Sequence, residues 1–123
     1  MPIGFIYPYP FGTDVYGWQI KDYFNAIYRS GHLERAIKEI LKKEGYSLDY
    51  NQCMFPEDNS YDDYDHFEGV EFEMGYMDDE SSIIVSEKEC LSFVKEVIFL
   101  YENMRPDRKG FADADLEKST LGR

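Results

Sequence analysis

A chain of 123 residues with 43% hydrophobic and 17% aromatic residues is sized and composed for one folded domain, since disordered segments are poor in aromatic side chains. Its formal charge of −12 comes from the middle: residues 44–87 carry fourteen Asp and Glu and no Lys or Arg, while the rest of the chain is close to neutral. A field of that sign repels nucleic acid and anionic lipid, which argues against both as ligands and favours association with a basic protein surface.

The opening MPIGFIYPYPFGTD has no basic stretch leading into an apolar core, so it does not read as a secretory leader. Ile3, Phe5 and Tyr7 alternate as in a short strand, which Pro8 and Pro10 restrict to a sheet edge or an extended lead-in. From about Tyr16, the positions of Trp18, Ile20, Tyr23, Phe24, Ile27 and Tyr28 follow a helical period, and Ser30-Gly31 ends it. A second helix is expected over His32–Glu44, with Leu33, Ala36, Ile37, Ile40 and Leu41 on one face and Gly45 as its stop. The two form an antiparallel helical hairpin.

Residues 46–66 are less patterned: Tyr46 to Tyr50 alternate weakly, and Pro56 to Ser60 read as a loop. Over Glu68–Tyr76 the alternation is clear. Val70, Phe72, Met74 and Tyr76 share one side, Glu71 and Glu73 the other, as in a half-buried strand with an acidic outer face. A turn at Met77–Glu80 leads into a strand over Ser81–Val85, giving a hairpin. Ser86 and Glu89 then form a capping-box pattern at the head of a helix running to Met104. Its stripe of Cys90, Leu91, Val94, Val97, Ile98 and Tyr101 requires a large apolar partner, for which the sheet is the natural candidate. Arg105-Pro106 closes it. Residues 1–106 thus form one α+β domain, an antiparallel sheet packed by helices, with an N-terminal helical hairpin and a long C-terminal helix. Residues 107–123 are polar and read as a flexible tail.

The acidic stretch does not fit familiar chemistries. An EF-hand started at Asp63 would place Phe67, Glu68 and Met74 at positions that need an oxygen ligand, a glycine and a glutamate. His32 and His66 stand far apart, and neither Cys53 nor Cys90 has a metal-ligand companion. Cys90 lies on an apolar stripe, whereas Cys53 reads as a loop thiol. The carboxylates alternate on a solvent face, where none gains the apolar pocket that acid–base catalysis needs. No phosphate-binding glycine loop or nucleophile elbow appears. No enzyme activity, cofactor, metal or small-molecule substrate is expected, and the two thiols suit the cytoplasm.

Recognition remains. Tyr61, Asp62, Asp63, Tyr64 and Asp65 precede the acidic strand, Glu71 and Glu73 project from it, and Asp78, Asp79 and Glu80 sit at the hairpin tip. Mutually repelling carboxylates interleaved with tyrosine suit a basic cleft. A solvated acidic face that only maintains solubility has the same composition, and an adaptor docking through the apolar residues 1–12 is a third reading.

The stretch HFEGVEFEMGYMDDESSIIVSEKECLSFVKEVIFLYENMRPD resembles the cytoplasmic immunity proteins of bacterial contact-dependent growth inhibition (CDI), in the family directed against ribonuclease toxins. The likeness lies in the F-E-G-V-x-F strand at Phe67–Phe72, the I-V-S lead at Ile84–Ser86 and the L-Y-E-x-x-x-P close at Leu100–Pro106. The resemblance implies a small α/β protein that binds the C-terminal nuclease domain of a surface-delivered toxin and blocks it. It carries over no contact residue.

Overall fold

A computed structural model describes residues 6–7, 16–48, 51–56, 69–73 and 82–122. Helix α1 (Trp18–Arg29) is amphipathic at the expected spacing and buries Ile20, Tyr23, Phe24 and Ile27. It ends where Gly31 takes φ 79°, so that Gly31 N–H donates to Tyr28 O and His32 N–H donates to Ile27 O. These two bonds satisfy carbonyls that the last turn would otherwise leave open. Helix α2 (Leu33–Leu41) ends with its last apolar residue, short of the expected end at Glu44. Lys43, at φ 63°, takes the left-handed position itself, and Glu44 N–H reaches Glu39 O, so Gly45 is not the stop.

Strands β1 (Tyr46–Leu48), β2 (Asn51–Met54), β3 (Val70–Glu73) and β4 (Ser82–Val85) form one antiparallel sheet in chain order. Strand β2 was not legible in the sequence, and Cys53, expected in a loop, is a fully buried strand residue opposite Phe72. Met74 and Tyr76 lie outside the described residues. Gly69 adopts φ 99° just before β3, and a Cβ there would come within 2.2 Å of Val85 O. Only glycine allows β3 and β4 to approach so closely at that point.

Helix α3 (Glu87–Met104) begins as its capping residues require: Ser86 Oγ accepts from Glu89 N–H at 3.1 Å. The Glu89 carboxylate accepts instead from Tyr16 O–H at 2.6 Å, tying the start of α3 to the approach to α1. Ser86→Ala is expected to lower stability by about 1 kcal/mol; thermal or urea unfolding measures it, and Ser86→Gly should recover most of the loss.

The main contact with the strands is made by α1, which lies across β2, β3 and β4. Tyr23 meets Phe72 edge-on at 5.2 Å, with Phe24 6.0 Å from the same ring. Helix α3 packs into the same core, where its Cys90, Val94 and Val97 are fully buried. Its Tyr101 packs against Tyr28 of α1 at 6.1 Å, and its O–H donates to Glu34 of α2.

Both ends of the chain contribute to this core. Ile6 and Tyr7 are consecutive buried residues in a bend, not alternating strand positions. The buried Asn25 side chain pins them, accepting from Tyr7 N–H at 2.9 Å and donating to Tyr7 O at 3.3 Å. After α3 come a short 3-10 helix (Pro106–Arg108) and α4 (Asp113–Lys118). Residues 107–123, set apart as a tail by their polarity, place Ala112, Ser119 and Leu121 in the interior, and Ser119 Oγ donates to Leu41 O at the end of α2. Three isolated small or apolar residues anchor a segment whose average composition is polar.

A charge clip holds the same segment. Arg108 donates to both oxygens of Glu34 at 2.7 and 2.6 Å, and Tyr101 O–H adds a third bond at 2.6 Å. The Arg108 guanidinium, aided by Tyr101, holds the Glu34 carboxyl down at about 2. Because the folded value lies below the unfolded one, the clip stabilises fully above the ordinary carboxylate range and is lost as pH falls through about 2. The stability difference between wild type and Glu34→Gln should therefore shrink steadily as urea denaturation is repeated from about pH 5 down to about pH 2. A difference independent of pH would show that the carboxylate charge contributes nothing.

Candidate functional site

Strand alternation divides the sheet into two surfaces. Tyr46, Cys53, Phe72 and Ile83 align across the four strands on the inner surface, joined by Val70 and Val85, and α1 covers them. The intervening positions form the outer surface in two cross-strand rows. One contains Ser47, Gln52, Glu73 and Ser82; the other contains Met54, Glu71 and Ile84. Glu71 and Glu73 therefore share the surface opposite the helices, about 7 Å apart by the strand repeat.

Their surroundings are informative. No Lys or Arg belongs to either row, so the local field is negative. Glu71 lies between Met54 and Ile84, and Ile84 is 50% exposed. An apolar residue half open to solvent beside a carboxylate is not what solubility alone requires. Exposed apolar area and carboxylates side by side on one surface suit a protein-binding patch, which combines apolar contact with polar and charged groups. Neither Met54 nor Ile84 is among the partner-contact residues expected from the sequence. Ile84 alternates with the inward-facing residues of its strand, but its position beside Glu71 follows only from the register of β3 against β4.

Of the ten residues expected to meet a partner, Glu71 and Glu73 are described and brought together. Tyr61, Asp62, Asp63, Tyr64, Asp65, Asp78, Asp79 and Glu80 lie outside the described residues. The stretch considered for a calcium loop lies outside them too. Among the described residues, no group of three or more His, Cys, Asp or Glu converges on a metal position. His32 stands at the head of α2 with Nδ1 2.6 Å from Tyr46 Oη, an ordinary helix-end contact. Burial pushes the Cys90 thiol up to about 12, far from the range of a reactive thiolate. Ile6 and Tyr7 are occupied in the core, which weakens a docking role for those two residues of the N-terminal segment. No helix among the described residues is long and apolar enough to cross a membrane.

A family model for CDI immunity proteins matches residues 16–116, spanning all four strands and the helices from α1 into α4. The chain belongs to the CDI immunity protein family. The match extends well beyond the hairpin and α3 segment that carries the resemblance in sequence, and it takes in the N-terminal helices. No curated protein matches the chain significantly. As a CDI immunity protein it neutralises a toxin. A cognate toxin is therefore its partner.

Proposed function

We propose that this immunity protein neutralises a toxin nuclease, specifically a ribonuclease domain, by placing the acidic outer surface of its sheet over the toxin's basic substrate cleft, in the cytoplasm of the cell it protects. The supporting observation is the row Met54–Glu71–Ile84 with Glu73 beside it: carboxylates and exposed apolar area share one surface that no helix covers among the described residues. A ribonuclease must bind phosphates, so its cleft is positive, and carboxylates that enter it take the place of substrate charge. The described part of this surface has two glutamates. In this reading the aspartates and tyrosines at 61–65, with Asp78, Asp79 and Glu80, extend it.

The test uses the toxin domain encoded next to the immunity gene. Purified alone, that domain should cleave RNA, and one equivalent of this protein should abolish cleavage. A domain that leaves RNA intact, or continues to cut it when saturated with the immunity protein, would overturn the ribonuclease assignment or the blocked-site mechanism respectively.

A further inference from the structure

On the helical side of the molecule, one cleft gathers charge of the opposite sign. Where the end of α1, the start of α2 and the end of α3 meet, a cleft of about 620 Å³ is lined by Tyr28, Arg29, Leu33, Arg35, Tyr101 and Arg105, with Glu34 at its wall. Three arginines thus face one carboxylate, in a protein whose overall charge is −12. That carboxylate does not cancel Arg35 or Arg105, because both Glu34 oxygens are already taken by Arg108, which does not line the cleft, while Arg29 has Asp22 in its field. Among the described residues no carboxylate pairs with Arg35. Its guanidinium lies over the Tyr46 ring, 6.0 Å from the centroid. Arg105 bonds Asp107 at 3.2 Å in an exposed pair, the kind that exchanges readily for another anion.

We propose that this cleft is a second binding site, which takes a carboxylate-bearing peptide segment of a protein partner. Guanidinium forks match carboxylates in a two-pronged geometry, and they hold that geometry better than an ammonium group would. Tyr28, Leu33 and Tyr101 give the cleft an apolar wall, which suits a peptide side chain and offers nothing to a bare inorganic anion. Nucleic acid is disfavoured because a continuous polyanion would be repelled by the acidic central third of the chain. One or two carboxylates engage only within about a Debye length, roughly 8 Å at physiological ionic strength. The site stands apart from the acidic sheet surface, and its test needs no toxin, so either proposal can fail without the other.

The experiment is an NMR titration of the full isotope-labelled chain with acetylated tetraglutamate amide, with tetraglutamine amide and inorganic phosphate as controls. Saturable shifts are expected at Arg29, Arg35, Tyr101 and Arg105, with binding at least about tenfold weaker for tetraglutamine and for an Arg35→Gln variant. Arg35 is exposed, so the variant's own spectrum will show that it remains folded. The proposal is overturned if tetraglutamate produces no saturable shifts at these residues, if tetraglutamine binds equally well, or if Arg35→Gln changes nothing. Phosphate that binds as tightly as tetraglutamate would also overturn it, by showing a general anion site.

Discussion

Phe72→Ala is expected to lower the free energy of unfolding by about 3–5 kcal/mol, the range for a large aromatic ring removed from a packed interior. The ring is fully buried in β3, between β2 and β4, and meets Tyr23 and Phe24 of α1. Tyr23 and Phe24 are themselves 5.1 Å apart and edge-on, so the three rings form one cluster that joins helix to sheet. Removing the central ring leaves a cavity that its neighbours cannot close without moving a helix or a strand. Domains of this size have only about 5–15 kcal/mol in hand, so the variant should sit near the limit of folding. Urea titration measures the effect as a lower midpoint at unchanged slope. A loss below about 1 kcal/mol would mean that the three rings do not form the joint between layers.

The second large effect concerns binding and leaves the fold alone. Reversing both charges of the outer surface, with Glu71→Lys and Glu73→Lys together, is expected to weaken toxin binding by about a hundredfold or more. Opposed to a basic cleft, each lysine both removes an attraction and adds a repulsion. The stability cost should be smaller than the loss of affinity, because both side chains are half-buried on the sheet surface that faces away from the core. Titration calorimetry with the toxin domain measures the affinity, and urea unfolding checks the fold. Replacing Ile84 with alanine probes the apolar part of the same row and should cost affinity with little effect on the association rate.

The elements legible in the sequence are those whose signals are local. Ser86 with Glu89 marks the head of α3, Gly31 marks the end of α1, and the alternation through Val70, Glu71, Phe72 and Glu73 marks β3 and both of its faces. What was not legible depends on distant partners. Asn51 to Met54 show no alternation of their own and become a strand because β1 and β3 flank them. Cys53 is buried for the same reason. Helix α2 ends before the expected stop at Gly45 because Lys43 adopts a backbone conformation usually reserved for glycine. The segment after Pro106 is polar on average, and its packing rests on Ala112, Ser119, Leu121 and the Arg108–Glu34 clip, none of which forms a periodic signal. The candidate surface divides similarly. The outward direction of Glu71 and Glu73 follows from alternation, whereas their neighbours Met54 and Ile84 follow from strand register. The arginines of the helical cleft come from α1, α2 and the residue just after α3, and have no pattern that a linear reading could gather.

The central claim is that a negative surface guides this immunity protein onto a positive toxin cleft. The most direct measurement is the association rate with the toxin domain by stopped-flow mixing, taken from about 0.01 M to about 0.15 M ionic strength, for wild type and the Glu71→Lys, Glu73→Lys double variant. The wild-type rate should fall at least about tenfold over that range, and the variant should start slower and lose most of its salt dependence. A wild-type rate indifferent to salt, or a variant that associates as fast as wild type at the lowest salt, would contradict it.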